Sequence, residues 1–451
     1  MYDLIYQENQ SNLSHTALNY FGKKISYKLF FEKVNEFAKA FQACGIKKGD
    51  VVTIMSLHTP ETIYSIYALN QLGAIVNLIY LTLNAEEILK QTDEVGSKML
   101  LYLENVQDKV KEIKSKMKAE QIICLPIWNS MPFPLKQIVK QKSCRDNSLD
   151  EFLKKGSKEI VLKKERYQPN MPAVIVYTSG TTGEPKGVLH TNDSLNAVAF
   201  QYKLADMGLT TNSRVLNAIP PFLGFGITVG IHTQLVLGLE GILQIDPNAD
   251  AVAKAMMKKK PEHMIIGPAF ISAIMKSCKG NMRWLKTLAG GGGAISDEEE
   301  KKLNEILAKC HATVEYTVGY GMTELGATVC TNMNRCNQSG SLGIPLPKVN
   351  VKIINPETVK DIKETEKAIW IKNGEKWIHT GDLGYVEKDG FLYFAGRIKR
   401  IYITRGADGI VYKLFPDRIE NVLKKCKGIN QAAVNVVEDE KRVHVARAYS
   451  T

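Results

Sequence analysis

Val174-Ile175-Val176-Tyr177-Thr178-Ser179-Gly180-Thr181-Thr182-Gly183-Glu184-Pro185-Lys186-Gly187 is the stretch on which the reading of this chain turns. Its first residues, Val174 to Tyr177, form a compact apolar run bounded by turn formers, as expected of a buried strand. The remainder supplies hydroxyls, glycines that let backbone N–H groups approach closely, and one cation, Lys186. Polyphosphate recognition needs those groups together. An ordinary Gly/Ser/Thr surface loop shares the composition, so composition alone leaves both readings open. Two common nucleotide folds are disfavoured by register. No Gly-x-x-x-x-Gly-Lys-Ser/Thr spacing fits, and the Gly290 to Gly293 run has Ile295 and Ser296 where a G-x-G-x-x-G pattern needs its last glycine.

Upstream of that stretch, helix and strand signals alternate. Ser26 is placed to cap a helix whose apolar face is Phe30, Val34, Phe37, Ala38 and Phe41, with Gly45 to stop it. Val51 to Met55 reads as a strand. Thr59-Pro60-Glu61 then gives an N-cap, a first-turn proline and a dipole-matched acid for a helix ending near Gly73. Ala74 to Leu78 is the next strand, and Asn84 with Glu87 resembles a capping box before a helix that stops near Gly96. Met99 to Leu103 follows as a strand. This βα punctuation predicts an α/β fold with a largely parallel sheet. Pro126 to Pro172, rich in Lys, Pro and Ser, reads as a surface excursion. From Trp377 to Ile401 the texture turns to short strands broken by Gly381, Gly384 and Gly390. A final helix, Ile419 to Cys426, and strands Ala432 to Val437 and Val443 to Ala448 complete the chain.

The 451 residues exceed one ordinary core, and length suggests about two to four domains or subdomains. No apolar stretch is long enough for a membrane span, and Met1 to Ser11 has no secretory pattern, so a cytoplasmic location is expected. The eight cysteines show no C-x-x-C pair and read as reduced thiols. A formal charge of +12 is spread over dispersed lysines without interleaved aromatics. A solvated basic surface that suits anionic small substrates is therefore expected, with no nucleic-acid partner.

The glycine-rich string resembles the signature of the adenylate-forming superfamily, which groups acyl- and aryl-CoA synthetases, adenylation domains of peptide synthetases and beetle luciferases. Further motifs follow in family order: Gly291 to Ala294, Gly319-Tyr320-Gly321-Met322-Thr323-Glu324, Thr380-Gly381-Asp382, and Gly396-Arg397 with Lys399. The resemblance implies a large N-terminal multi-subdomain α/β domain, residues 1–397, that binds ATP and acid. After it comes a small C-terminal α/β domain, residues 398–451, incomplete by comparison with the family. Expected phosphate contacts are Thr178, Ser179, Gly180, Thr181, Thr182, Gly183 and Lys186, with Thr323 on the α-phosphate and Glu324 on Mg²⁺. Lys186, Thr323 and Glu324 are the expected catalytic groups. Gly292, Gly293 and Ala294 would border adenine, with Tyr320 stacked on it beside Gly321. Asp382 and Arg397 would hold ribose, and Lys399 would be the hinge. Standing alone, Glu324 would pass for a helix cap, Tyr320 for a core ring and Asp382 for a turn aspartate.

The implied activity is acid–thiol ligation: carboxylate and ATP give acyl-adenylate, and coenzyme A then gives the thioester. Family members specific for acetate carry tryptophan at the position of Gly321. Glycine there, with the apolar run Phe222 to Ile227, implies a carboxylic acid larger than acetate, of fatty-acyl or aryl type. The resemblance leaves a homodimer open. Departures from the family pattern matter too. Asn192 stands where many relatives have histidine, with His190 two places earlier, and Leu223 replaces another histidine, so no histidine is assigned to catalysis. Thr404 to Leu414 carries extra residues, which puts the family's coenzyme A contacts there in doubt. No Gly-Lys segment matching the adenylating lysine occurs before Thr451. Two rivals follow: an adenylation domain loading a carrier protein, disfavoured because Phe222, Leu223 and Phe225 replace its amino-group aspartate, and a binding protein without catalysis.

Overall fold

Short Val/Ile/Leu-rich runs flanked by capped helices build two open sheets. The computed structural model describes residues 1–143, 146, 148–156, 160–178, 185–293, 295–354, 369–372, 374–398, 402–405, 411–414, 416–424, 426, 428–429, 431–439 and 443–451. In chain order the first strands are β1 (Thr16–Tyr20), β2 (Lys23–Ser26), β3 (Val51–Met55), β4 (Ile75–Leu78), β5 (Met99–Leu103), β6 (Gln121–Leu125), β7 (Pro172–Thr178) and β8 (Lys186–Thr191). Next come β9 (Arg214–Asn217), β10 (Glu240–Leu243), β11 (His263–Ile266), β12 (Thr287–Gly290), β13 (Tyr316–Met322), β14 (Ala327–Thr331) and β15 (Ile344–Pro345).

One sheet has six strands in the order β6-β5-β3-β4-β7-β8, parallel except for β8. The other has nine, β15-β14-β13-β12-β11-β9-β10-β1-β2, antiparallel only at β2, β14 and β15. The parallel centres follow from helix-bearing crossovers, as the punctuation predicts.

Helix Pro60–Gln71 shows what joins the sheets. The Thr59 hydroxyl caps it by accepting from the Thr62 N–H, Pro60 opens its first turn, and every one of its residues is buried. A helix that is buried all round has no wet face to pattern. Its Ile63, Ile66 and Leu69 share one core with Leu18 and Leu243 of the nine-stranded sheet and Val52, Val76 and Val174 of the six-stranded one. Each such side chain contributes about 1.5–3 kcal/mol of burial.

The Pro126 to Pro172 segment is not merely a surface excursion. Helix Ser148–Gly156 puts Phe152 into the core, 4.8 Å from Phe41 and 6.1 Å from Phe37 ring to ring. Its sparse apolar residues, Leu149 and Phe152, sit on one helical side, which the surrounding lysines obscure in the sequence.

Among the described residues beyond the large sheets lie four antiparallel pairs, the first three being β16 (Ile369–Lys372) with β17 (Glu375–Ile378), β18 (Asp382–Val386) with β19 (Leu392–Arg397), and β20 (Tyr402–Arg405) with β21 (Val411–Leu414). Thr404, Arg405 and Val411–Leu414, the described residues of the segment with extra residues, thus belong to an antiparallel pair. Helix Pro416–Lys424 packs on the last pair, β22 (Ala432–Asp439) and β23 (Val443–Ser450), where Glu420 accepts from the Val434 N–H at 2.8 Å. Among the described residues no helix is long and apolar enough to cross a membrane.

Candidate active site

The functional groups gather at the carboxyl ends of β7, β12 and β13, where open α/β sheets bind ligands. Antiparallel pairing of β7 with β8 sets Thr178 opposite Lys186, so the two ends of the glycine-rich string face each other. Thr178 is half-buried and Lys186 exposed. Ser179, Gly180, Thr181, Thr182 and Gly183 lie outside the described residues, as do Ala294 and Lys399, expected from the sequence to be the hinge.

β12 must end in glycine, because a Cβ on Gly290 would stand 1.6 Å from the Tyr316 hydroxyl. That close packing delivers Gly292 and Gly293, both exposed, to the same edge, where Gly293 meets the Pro268 ring. β13 carries Tyr320 and Gly321 and runs into a single 3₁₀ turn, Thr323–Leu325. Thr323 is pressed from two sides. A Cβ on Gly224 would lie 3.3 Å from its Oγ1, and His190 faces its backbone. Glu324 is exposed and makes no ion pair among the described residues.

Tyr320 and Asp382 meet directly. The Tyr320 hydroxyl donates to Asp382 Oδ2 at 2.6 Å, and Arg397 Nε lies 3.1 Å from Oδ1. The Asp382 side chain is only 9 % exposed, against 50 % for Arg397. The arginine contact is an ion pair without hydrogen-bond alignment, which leaves Oδ1 with acceptor capacity. The phenol's pKa is driven up by burial first and by the carboxylate second, so it remains a donor. The β18–β19 hairpin that carries both charges is tied to the nine-stranded sheet's periphery by Leu342 N–H to Leu392 O at 2.7 Å and Leu392 N–H to Gly343 O at 3.0 Å.

Gly321 has a second reason, which the sequence does not show. A Cβ there would stand 1.4 Å from the Ala327 carbonyl oxygen across a bulge between β13 and β14, so this close backbone approach by itself favours glycine. Sequence reading also missed Tyr80. Its ring lies 4.9 Å from Phe222, and its hydroxyl donates to Tyr177 O at 3.2 Å, putting an aromatic wall beside the apolar Phe222 to Ile227 run. Nothing in the local pattern around Tyr80 distinguishes it from a core ring.

The arrangement offers a cation, hydroxyls, a free carboxylate, and an aromatic ring beside a carboxylate with a spare oxygen. Among the described residues no cluster of three or more His, Cys, Asp or Glu could cage a metal. One exposed carboxylate beside a hydroxyl suits Mg²⁺, which keeps waters and shares phosphate oxygens rather than entering an all-protein cage.

Comparison with known proteins agrees. The AMP-binding enzyme family model matches residues 6–381. The long-chain-fatty-acid–CoA ligase of Bacillus subtilis is 25% identical over 96% of this chain and 82% of its own length. The 2-succinylbenzoate–CoA ligase of Oceanobacillus iheyensis is 26% identical over 92% of this chain and 81% of its own. Among solved structures, o-succinylbenzoate CoA synthetase from Bacillus subtilis with its acyl-adenylate intermediate superposes with a TM-score of 0.78, at 23% identity over 99% of this chain and 87% of the other. With most of its length, residues 6–381, inside that family model, the chain belongs to the AMP-binding enzymes.

Proposed function

We propose that this enzyme is an AMP-forming acid–CoA ligase acting on a largely apolar acid bigger than acetate, of the fatty-acyl or aryl class. The observation that carries the reading is the meeting of Tyr320 with Asp382, whose Oδ1 keeps acceptor capacity. A ribose hydroxyl donates to Asp382 while adenine stacks on the Tyr320 ring next to Gly292 and Gly293. Arg397, half in solvent, keeps the carboxylate oriented. Phosphates then extend toward Thr178, Lys186 and Thr323, with Ser179, Gly180, Thr181, Thr182 and Gly183 assigned to the same loop by motif.

A carboxylate oxygen of the acid attacks the α-phosphorus and pyrophosphate leaves, so negative charge builds on the phosphoryl oxygens. Lys186 and the Thr178 and Thr323 hydroxyls meet that charge with donors already in place. Glu324 would hold Mg²⁺, which when bound would add neutralisation of phosphate charge. The thiol of coenzyme A then attacks the acyl carbon and AMP leaves, carrying away the oxygen that came from the acid. Residues 1–397 form the body for the first step, and residues 398–451, pivoting at Lys399, exchange faces for the second. Tyr80 and Phe222 favour an apolar acyl group, each buried CH₂ adding about 0.8 kcal/mol.

ATP–pyrophosphate exchange with acids from acetate to dodecanoate and benzoates, followed by thioester formation with coenzyme A, tests this. Hexanoate or benzoate should outpace acetate; an enzyme preferring acetate, or active only with amino acids, contradicts the assignment.

A further inference from the structure

His190 stands on β8 and is 3 % exposed. Separated from Lys186 by an even number of strand positions, it lies on the same face of β8 as that cation. Its Nδ1 is 3.4 Å from Ser194 Oγ, on the helix Asn192–Ala205 that follows. Nε2 is buried without a hydrogen-bond partner, and the His190 ring lies against the backbone of Thr323. The Thr323 carbonyl accepts the Gly326 N–H at 3.1 Å, the bond that closes the 3₁₀ turn, and has a second lone pair left. A buried donor left unmade is costly, and here it is left unmade at the one turn that carries Thr323 and Glu324.

We propose that His190 is a positioning residue for the nucleotide site: with nucleotide bound, Nε2–H donates to the Thr323 carbonyl and locks the Thr323–Leu325 turn to the strand that starts at Lys186. The bond joins two elements that must act on one triphosphate but come from different sheets. It also fixes the tautomer. With the proton on Nε2, Nδ1 must accept from Ser194, whose hydroxyl turns its proton away from the Thr191 carbonyl, now 3.0 Å from Oγ. Gly224 packs closely on Thr323 as well, where a Cβ would lie 3.3 Å from its Oγ1. The inference rests on Thr323 and Glu324 being the phosphate and Mg²⁺ groups, but not on which acid is activated.

The test uses His190→Leu, which removes the donor, and His190→Gln, whose amide nitrogen reaches the Nε2 position. Calorimetry with ATP, with and without Mg²⁺, is paired with the KM values for ATP and acid in pyrophosphate exchange and with thermal midpoints. Leucine should weaken Mg·ATP binding about three- to tenfold and raise the ATP KM in proportion, while glutamine stays within about twofold of the parent. The KM for the acid should not move. Mg·ATP binding by the leucine variant at the parent's affinity overturns the proposal, and so does equal impairment by leucine and glutamine. If leucine lowers the thermal midpoint sharply, His190→Asn replaces it, since its amide falls short of the Nε2 position. Weak binding by asparagine with normal binding by glutamine then supports the proposal, and equal values overturn it. A parent that shows no exchange with any acid, yet binds Mg·ATP with these differences, removes the ligase assignment and leaves the role of His190 standing.

Discussion

Replacing Asp382 by asparagine keeps the shape of the side chain and removes its charge. That carboxylate takes the Tyr320 hydroxyl at 2.6 Å and the Arg397 ion pair at 3.1 Å. Arg397 is half exposed, so its pairing is worth only about 0.2–1 kcal/mol. More is at stake in the bond a ribose hydroxyl makes to a charged acceptor that is nearly out of water, about 1.5–3 kcal/mol. Asp382→Asn should therefore weaken ATP binding about 10- to 100-fold. Calorimetric titration with ATP and with 2′,3′-dideoxy-ATP separates this from a fold defect. The parent should lose affinity for the dideoxy nucleotide, whereas the variant, having already lost the charged bond, should lose little more. Unchanged ATP affinity in Asp382→Asn, or a full additional dideoxy penalty in the variant, would refute the ribose assignment.

Other substitutions test neighbouring parts. Glu324→Gln should keep ATP binding but slow Mg²⁺-dependent exchange by about 10² or more, and an unaltered rate removes Glu324 from the mechanism. Gly321→Ala should destabilise the fold by about 1–3 kcal/mol or more through overlap with the Ala327 carbonyl, read as a lower thermal midpoint with every acid or none present. A pocket-size role alone would leave the midpoint where it was. Glu61 is buried, with Asn129 and Ser130 both donating to Oε1, and burial raises its pKa above the ordinary 4.5. The folded state thus holds that proton more tightly than the unfolded one, so stability falls as pH rises from the ordinary value through the folded one. The midpoint of Glu61→Gln minus that of the parent should grow from pH 4 to pH 7, and a difference that is flat with pH contradicts this.

Local chemistry made much of the fold legible. Ser26, Thr59 and Asn84 cap their helices through their own side chains, the last in a complete capping box, because capping is settled within one turn of chain. The strands Val51–Met55 and Met99–Leu103 fall where short apolar runs meet glycine stops. What stayed hidden depends on distant partners. Phe152 becomes core only because Phe37 and Phe41 arrive from another helix. The close approach of the Ala327 carbonyl to Gly321 has no trace in the local sequence. His190 and Asn192 look like a displaced motif, whereas Asn192 takes an Asn70 amide hydrogen bond at 2.7 Å and only His190 turns toward Thr323. Tyr320 and Asp382 were each assigned to nucleotide by motif. Their contact with each other, across 62 positions of sequence, has no local signature.

Oxygen transfer is the sharpest test of adenylate chemistry. The enzyme is incubated with ATP, Mg²⁺, coenzyme A and an acid such as hexanoate whose carboxylate carries ¹⁸O, and the nucleotide is weighed by mass spectrometry. Attack of the carboxylate on the α-phosphorus, followed by thiol attack on the acyl carbon, leaves one labelled oxygen in AMP for each thioester made. Label in inorganic phosphate alongside ADP, or thioester accompanied by unlabelled AMP, would contradict an acyl-adenylate route.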